Sequence, residues 1–382
     1  MFLFISIKSS FLYGGNIYFL NIIQQVLRKL INVNTLSFAI KIMIAMIIIL
    51  IIAIYAMLHD KKKKYFKLLL IRAKLEPLIS QFIIDESPAT EEQLEELRQI
   101  TDTSLARQYI VDELMRSKQN HSGEVSERIV TIYLGLDLKK YSLEKIHPKN
   151  NWHVIARGIQ ELYMMEQQDA YEEIYKYTNA SNEYLRNEAQ IGLIHLTGFK
   201  GLDFLEMVLY PITNWQQLKL LDQLKRFPKK DDFSFNVPKW IGSGNNSVVV
   251  FALKLCYEYQ LIQLVDEITK CLQHESANVK TQAIETLVRL ENDQTPKILL
   301  KYFNQASRSD QLLILDAISK MATEEDAEAL IKILDYPDNL IKLKASIALS
   351  KCSNSGLQLI REKSLSNPEP FQRIVNHILS TT

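Results

Sequence analysis

Glycine and proline are scarce: 11 and 10 among 382 residues. β-rich folds need many tight turns, and those two residues supply most of them, so the scarcity argues against a sheet protein. The same scarcity argues against Gly-rich phosphate loops and long disordered linkers. Cysteine is scarcer still, at three, with no Cys-x-x-Cys, so neither a disulfide framework nor a zinc ribbon is expected. Charge of one sign is absent too. Lys+Arg is 45 against Asp+Glu 44, a formal net charge of +1. A whole-chain nucleic-acid binder is strongly basic, so no nucleic-acid partner is expected.

What the chain does have is one long apolar run. Ile42 to Leu58 reads IMIAMIIILIIAIYAML, without a charge or an amide. Extended back to Ser37 it covers 22 residues, roughly 33 Å at the helical rise. That spans a hydrocarbon core of about 30 Å, so residues 37–59 are expected to form a transmembrane helix. The run exceeds the apolar core of a signal peptide, and no A-x-A site follows it, so it is expected to stay uncleaved. Lys61, Lys62, Lys63, Lys64 and Lys67 follow at once, against only Arg28, Lys29 and Lys41 upstream. The heavier positive flank stays in the cytoplasm, which places the bulk of the chain there, with a single pass. The Lys run is a stop-transfer signal and a candidate lipid-headgroup contact. Residues 1–36 are apolar but broken by Lys8, Gly14, Gly15 and Asn16. They are assigned no function, and the start codon itself is in question there.

Beyond residue 65 the pattern is helical. Residues 60–148 read as a basic juxtamembrane and helical block, with helices near 65–84, 88–99, 103–118 and 122–136. The helix at 88 is opened by Ser87 as cap and Pro88 at its first position. Residues 149–382 carry an internal repeat. The stretches Ala252-Leu-Lys-Leu-Cys, Ala283-Ile-Glu-Thr-Leu, Ile314-Leu-Asp-Ala-Ile and Ala345-Ser-Ile-Ala-Leu begin at one constant interval, within the range of a helix-pair repeat. Val248, Val279 and Ile341 keep the same phase, while Asp310 stands where an apolar residue is expected. A break and a second apolar helix follow each stretch, so the unit is a helix pair. One pair cannot bury both faces, and stacked pairs share a continuous core. Upstream the same grammar continues more loosely, headed by Ala156, Ala189 and the Leu218–Leu224 stretch. Residues 227–247, with their Pro, Gly and Asn, read as a loop insertion between two pairs.

These stretches resemble the HEAT-repeat family over about residues 150–380. The fold expected is therefore all-α, a right-handed α-solenoid of six or seven HEAT-like helix pairs behind an N-terminal transmembrane helix. Residues 151–224, from Asn151-Trp152-His153 to Leu218-Lys219-Leu220, are similar to a group of bacterial membrane-anchored HEAT-repeat proteins of unknown function. Members of that group are often encoded beside envelope glycosyltransferases, and the resemblance implies a link to that pathway.

No catalytic constellation stands out. The seven His are scattered, and no His-Glu-x-x-His, G-x-S-x-G or Walker loop occurs. No catalytic, cofactor or metal residue is expected, and the chain is read as a non-enzyme. Cys256, Cys271 and Cys352 lie among Leu and Ile at helical spacing and read as buried thiols. Trp152 is a hydrophobic staple or, if exposed, an aromatic anchor for a partner. Trp215 is weighed the same way, and Trp240, inside the loop, is the one expected to be most exposed. Lys270, Lys301, Lys332 and Lys363 recur on the second helices at the interval of the repeat itself. They form a binding strip for an acidic partner or simply complement helix C-terminal ends. Arg289, Lys320 and Lys351 show the same period on the first helices, which favours the second reading.

The function expected is a membrane-tethered cytoplasmic scaffold that binds a protein partner, such as a membrane-associated enzyme. The alternative is a HEAT-like enzyme or accessory module, since such arrays also occur in bilin lyases and some DNA glycosylases. The near-zero charge and the anchor argue against a glycosylase, and the missing acid/base pair against a lyase.

Overall fold

The structure, a computed structural model, describes residue 25 and residues 33–84, 90–227 and 233–381. Most of the segment 1–36, the Ser87–Pro88 helix start and residues 228–232 of the expected loop lie outside the described residues. Among these residues the regular structure is helical, with no strand. The chain divides into two compact units, Met1–Leu114 and Met115–Thr382.

In the first unit, α1 (Val33–Ile84) is one helix of 52 residues, roughly 78 Å at the helical rise. The expected span and the helix expected near 65–84 are therefore continuous, running through the Lys run and past Pro77. Its segment Leu36–Gln81 is long and apolar enough to cross a membrane, and the most apolar part of it has none of its residues buried. Only near its C-terminal end does α1 turn side chains inward, with Leu75 and Ile79 buried. There it packs on α2 (Glu91–Ile100), which buries Leu94 and Leu97. Thr90 caps α2 reciprocally: Gln93 N donates to the Thr90 hydroxyl, and Thr90 N donates to Gln93 Oε1 at 2.9 Å. The unit boundary falls inside α3 (Ser104–Asn120).

The second unit opens with α4 (Glu124–Gly135) and α5 (Leu138–Lys145) and continues as seven stacked pairs. In the first, α6 (Trp152–Met164) is followed by α7 (Tyr171–Tyr175). In the second, α8 (Glu183–Thr197) is followed by a 3-10 segment, Gly198–Glu206. The third pairs α9 (Asn214–Leu224) with α10 (Val237–Ile241), and the fourth α11 (Asn246–Glu258) with α12 (Val265–Lys270). The fifth pairs α13 (Ala277–Leu290) with α14 (Thr295–Tyr302), and the sixth α15 (Arg308–Met321) with α16 (Ala327–Ile333). The seventh pairs α17 (Asn339–Cys352) with α18 (Gly356–Ser366), and α19 (Pro368–Thr381) closes the unit. This is a helical solenoid of the HEAT-like kind.

One pattern organises the array. The N-caps of the first helices are Asn151, Asn182, Thr213, Asn245, Ser276, Ser307 and Asp338. They are evenly spaced, apart from the step between Thr213 and Asn245, which is longer by a single position. All seven are residue types that suit this position, because a short side-chain oxygen accepts from an orphan N–H of the first turn. At five of them the bond is formed, for example Leu185 N to Asn182 Oδ1 at 3.1 Å. Seven residues past the caps of the second to seventh pairs stand Ala189, Leu220, Ala252, Ala283, Ile314 and Ala345. Four further on stand Leu193, Leu224, Cys256, Leu287, Ile318 and Leu349, and all twelve are fully buried. Sites i and i+4 share a helix face, so each first helix gives the core the same stripe.

Two expectations need correction. Residues 233–247 are not an insertion: Ser234–Asn236 and α10 form the second element of the third pair. Trp240 sits in α10 and is only 1% exposed, so it belongs to the core and presents no anchor to a partner. Asp310 is buried without being out of place. It accepts from Thr281 Oγ1 of the preceding first helix and from its own cap Ser307 Oγ, both at 2.8 Å.

Candidate partner-binding site

An open groove of about 950 Å3 lies over three consecutive first helices, α9, α11 and α13. The cap ladder builds it, because helix starts in phase bring equivalent early positions side by side. Asn214 and Asn246, the first residues of α9 and α11, and Asn278, the second of α13, stand exposed along it. Gln217 forms the floor, with its Nε2 donating to Ile212 O and Ser247 O at 3.1 and 3.2 Å. Its Oε1 accepts from Lys254 Nζ at 2.8 Å. Lys254 is half-buried, and that burial holds its pKa below the ordinary lysine value, with Glu285 across the groove acting in the opposite direction. Glu285 accepts from Gln282 at 3.2 Å. The lining thus carries six amide side chains against one cation and one anion, with Leu209, Pro211 and Val250 among its apolar members. Such a surface offers donors and acceptors in pairs, the chemistry of a polypeptide main chain.

A smaller groove of about 490 Å3 lies over α6, α8 and α9. Here Tyr163 donates to Glu188 Oε1 at 2.7 Å, and burial raises the Glu188 pKa while Tyr163's bond opposes the rise. His195, whose ring lies 4.9 Å from that of Tyr163, meets Gln223 Oε1 at 3.3 Å, and burial lowers its pKa. Among the described residues neither group is hydrogen-bonded to a Ser, Thr or Cys. Among the described residues no cluster of three His, Cys, Asp or Glu is placed to hold a metal ion. Burial pushes the Cys256 thiol up to about 12 and the Cys271 thiol to about 11.

The residues singled out from the sequence fall in separate places. Lys61, Lys62, Lys63, Lys64 and Lys67 are all exposed on α1, and four successive helical positions put charge around most of its circumference. Trp152 is exposed at the start of α6 and stacks on Tyr184 of α8, ring centroids 5.8 Å apart. Lys270, Lys301, Lys332 and Lys363 lie in the last turns of α12, α14, α16 and α18. Lys332 pairs with Glu328 at 2.7 Å and Lys363 with Asp335 at 2.5 Å, so carboxylates already answer half of that series. Tyr184, Leu209, Asn246 and Asn278 went unnoticed in the sequence. Their signal is the period of the caps beside them, legible as an Asn, Thr, Ser or Asp once in every repeat.

No family model and no curated protein matches the chain. Solved helical-repeat structures do. An engineered protein aligns over 80% of this chain and 98% of its own at 14% identity, TM-score 0.37. Human deoxyhypusine hydroxylase in complex with glycerol aligns over 74% and 97% at 11% identity, TM-score 0.29. Kap121p bound to Ste12p aligns over 79% and 36% at 11% identity, TM-score 0.34. At such identities and scores the likeness is in helical build alone.

Proposed function

We propose that the chain is a membrane-tethered scaffold: α1 holds it in a bacterial inner membrane, and the array binds a protein segment on the cytoplasmic side. The observation that carries this reading is the open groove across α9, α11 and α13, which suits an extended polypeptide better than a small substrate. Its amide lining satisfies main-chain groups, and Leu209 and Val250 offer apolar contact. The similarity of residues 151–224 to bacterial membrane-anchored repeat proteins fits the same picture, with a membrane-associated envelope enzyme as the partner. The enzyme alternative finds less support, because Glu188 and His195 are engaged by Tyr163 and Gln223 and, among the described residues, neither is bonded to a Ser, Thr or Cys.

The test places a photo-crosslinking amino acid at Asn246, Asn278 or, as control, Glu328 on α16, in full-length chain in native membranes. Discrete adducts at the two groove positions, lost when Gln217→Ala and Lys254→Ala are combined, are expected. Adducts of equal yield at Glu328, or none at either groove position, overturn the groove. A reporter fused after Thr382 checks orientation, and a periplasmic signal overturns the cytoplasmic placement.

A further inference from the structure

Two opposite charges face the groove over α9, α11 and α13 and do not meet. Lys254 of α11 and Glu285 of α13 stand equally far past their caps, Asn245 and Ser276, on neighbouring first helices. Among the described residues neither has an ion-pair partner. Lys254 Nζ bonds amide oxygens, Gln217 Oε1 at 2.8 Å and Asn214 Oδ1 at 3.5 Å. Glu285 Oε2 accepts from Gln282 Nε2 at 3.2 Å. The next repeat shows the same position with its charge answered from within. There Asp316 takes that place and pairs with Lys344 of α17. Arg308 and Asp338 join the starts of the same two helices at 2.6 Å.

A fixed amide keeps Lys254 away from Glu285. The Gln217 side chain is buried, and its Nε2 donates to both Ile212 O and Ser247 O. Its oxygen is thereby aimed at the Lys254 ammonium and holds it towards α9. An ammonium has three donors and seeks negative charge, so a half-buried one with neutral partners is under-neutralised, in keeping with its lowered pKa. A carboxylate arriving from outside forms a charge-assisted bond to a cation already in position. Glu285 offers the converse to an incoming cation.

We propose that the groove reads a pair of charges in its polypeptide, an acidic side chain on Lys254 and a basic one on Glu285, two positions apart. The proposal rests on the reading of the groove as a polypeptide site. Packed neighbouring helices lie about 8–10 Å apart. An extended chain returns a side chain to the same face every second residue, about 7 Å on, and a long basic side chain reaches the remainder. Glu285 disfavours a free phosphate or a nucleic-acid backbone. A free amino acid carries its two charges too close together to touch both groups.

The test uses full-length chain in detergent with a benzophenone amino acid at Asn278. The probes are short fluorescein-labelled peptides with Asp-Val-Lys or Lys-Val-Asp at the centre, so that either chain direction is offered. Asp-Val-Asp, Lys-Val-Lys and Asn-Val-Gln versions are the comparisons. At least one mixed-charge peptide is expected to crosslink about five-fold more than all three comparisons. Lys254→Glu is expected to abolish that preference, and Lys254→Glu with Glu285→Lys to restore it for a mixed-charge peptide. Lys254→Gln repeats the loss should the reversal disturb folding, which circular dichroism checks. Equal crosslinking of the mixed-charge and Asn-Val-Gln peptides overturns the proposal and leaves the groove as a polypeptide site. Strongest crosslinking of a peptide of single sign also overturns it, as does displacement of the peptides by inorganic phosphate at constant ionic strength. Crosslinking of none of the peptides sinks the groove reading itself, and the charge pair with it.

Discussion

Lys145 Nζ donates to both carboxylate oxygens of Glu161, at 2.6 and 2.7 Å, where the Glu161 side chain has no solvent exposure and that of Lys145 only 10%. Ser142 Oγ adds a third bond at 2.8 Å. The pair joins α5 to α6 and so fastens the lead-in helices to the first pair. Gly158 makes the approach feasible, because a Cβ there would lie 2.8 Å from Lys145 Cβ and from Ser142 O. Removing one partner strands a buried charge. Glu161→Leu is therefore expected to cost roughly 3–5 kcal/mol, and Lys145→Met with Glu161→Leu to recover most of it. Denaturant unfolding of the full chain in detergent, followed by circular dichroism, measures both. Equal loss in the single and double variants would show that packing rather than charge holds the junction.

The basic series on the second helices is expected to matter little. Lys332 and Lys363 sit in exposed or half-exposed ion pairs, and all four cations lie in last turns where they complement the helix dipole. Changing Lys270, Lys301, Lys332 and Lys363 together to Gln is expected to lower stability by about 1–2 kcal/mol and to leave crosslinking at Asn278 intact. A loss of crosslinking that is relieved by restoring Lys270 and Lys301 alone would revive the binding strip.

How far the sequence led depends on which residues carry the repeat. The fold was legible because Ala252, Ala283, Ile314 and Ala345 occupy a buried site that tolerates only small or aliphatic side chains, so their even spacing survives in the letters. Upstream the signal fades for a physical reason. The second elements are short or 3-10 there, as at Gly198–Glu206 and Ser234–Asn236, and the cap step into Asn245 is longer than the others. Residues 227–247 therefore read as an insertion. Trp240 was misplaced with them, because an indole flanked by Pro and Gly looks the same in a loop and in a core. Of the aromatic side chains exposed at helix starts, only Trp152 and Trp215 were visible in advance. The groove was not, since Asn246 and Asn278 gain meaning only when stacking brings them together.

Asp310 tests whether a polar residue at an apolar position is a defect. Its carboxylate takes two side-chain bonds, one to its own cap and one to Thr281 in the preceding helix. Asp310→Val restores the apolar residue found at Val279 and Ile341 but leaves the part-buried Thr281 hydroxyl without its acceptor and removes one of the two partners of Ser307 Oγ. The change is expected to lose about 1–2 kcal/mol rather than gain stability. Combining it with Thr281→Val is expected to return part of that loss, by thermal unfolding. Stabilisation by the single change would sink the reading.

Thiol chemistry checks the core in another way. Burial disfavours the thiolate, so Cys256 and Cys271 are expected to resist iodoacetamide at pH 8.5 in folded chain and to react fully in guanidinium. Cys352, only half-buried, is expected to react first. Mass spectrometry of partly labelled chain gives the order. Early labelling of Cys256 would mean that α11 opens independently of its neighbours.

Glu188 gives a pH signature whose sign is opposite to that of most carboxylates. Its folded pKa is raised above the ordinary 4.5, with burial the leading cause, so the folded chain holds this proton to higher pH than the unfolded chain does. Stability from this group is full below the unfolded value and falls as pH rises through the interval up to the folded one. Glu188→Gln keeps an acceptor for the Tyr163 hydroxyl and removes the buried charge. The variant is expected to melt at higher temperature than the parent at pH 7, and the difference is expected to close as pH falls below about 4.5. Melting curves between pH 3.5 and 7.5 settle the matter. A gap that stays constant with pH would mean that the gain comes from packing. A parent more stable than the variant at pH 7 would mean that Lys219 and Arg157, the cations acting on Glu188, outweigh its burial.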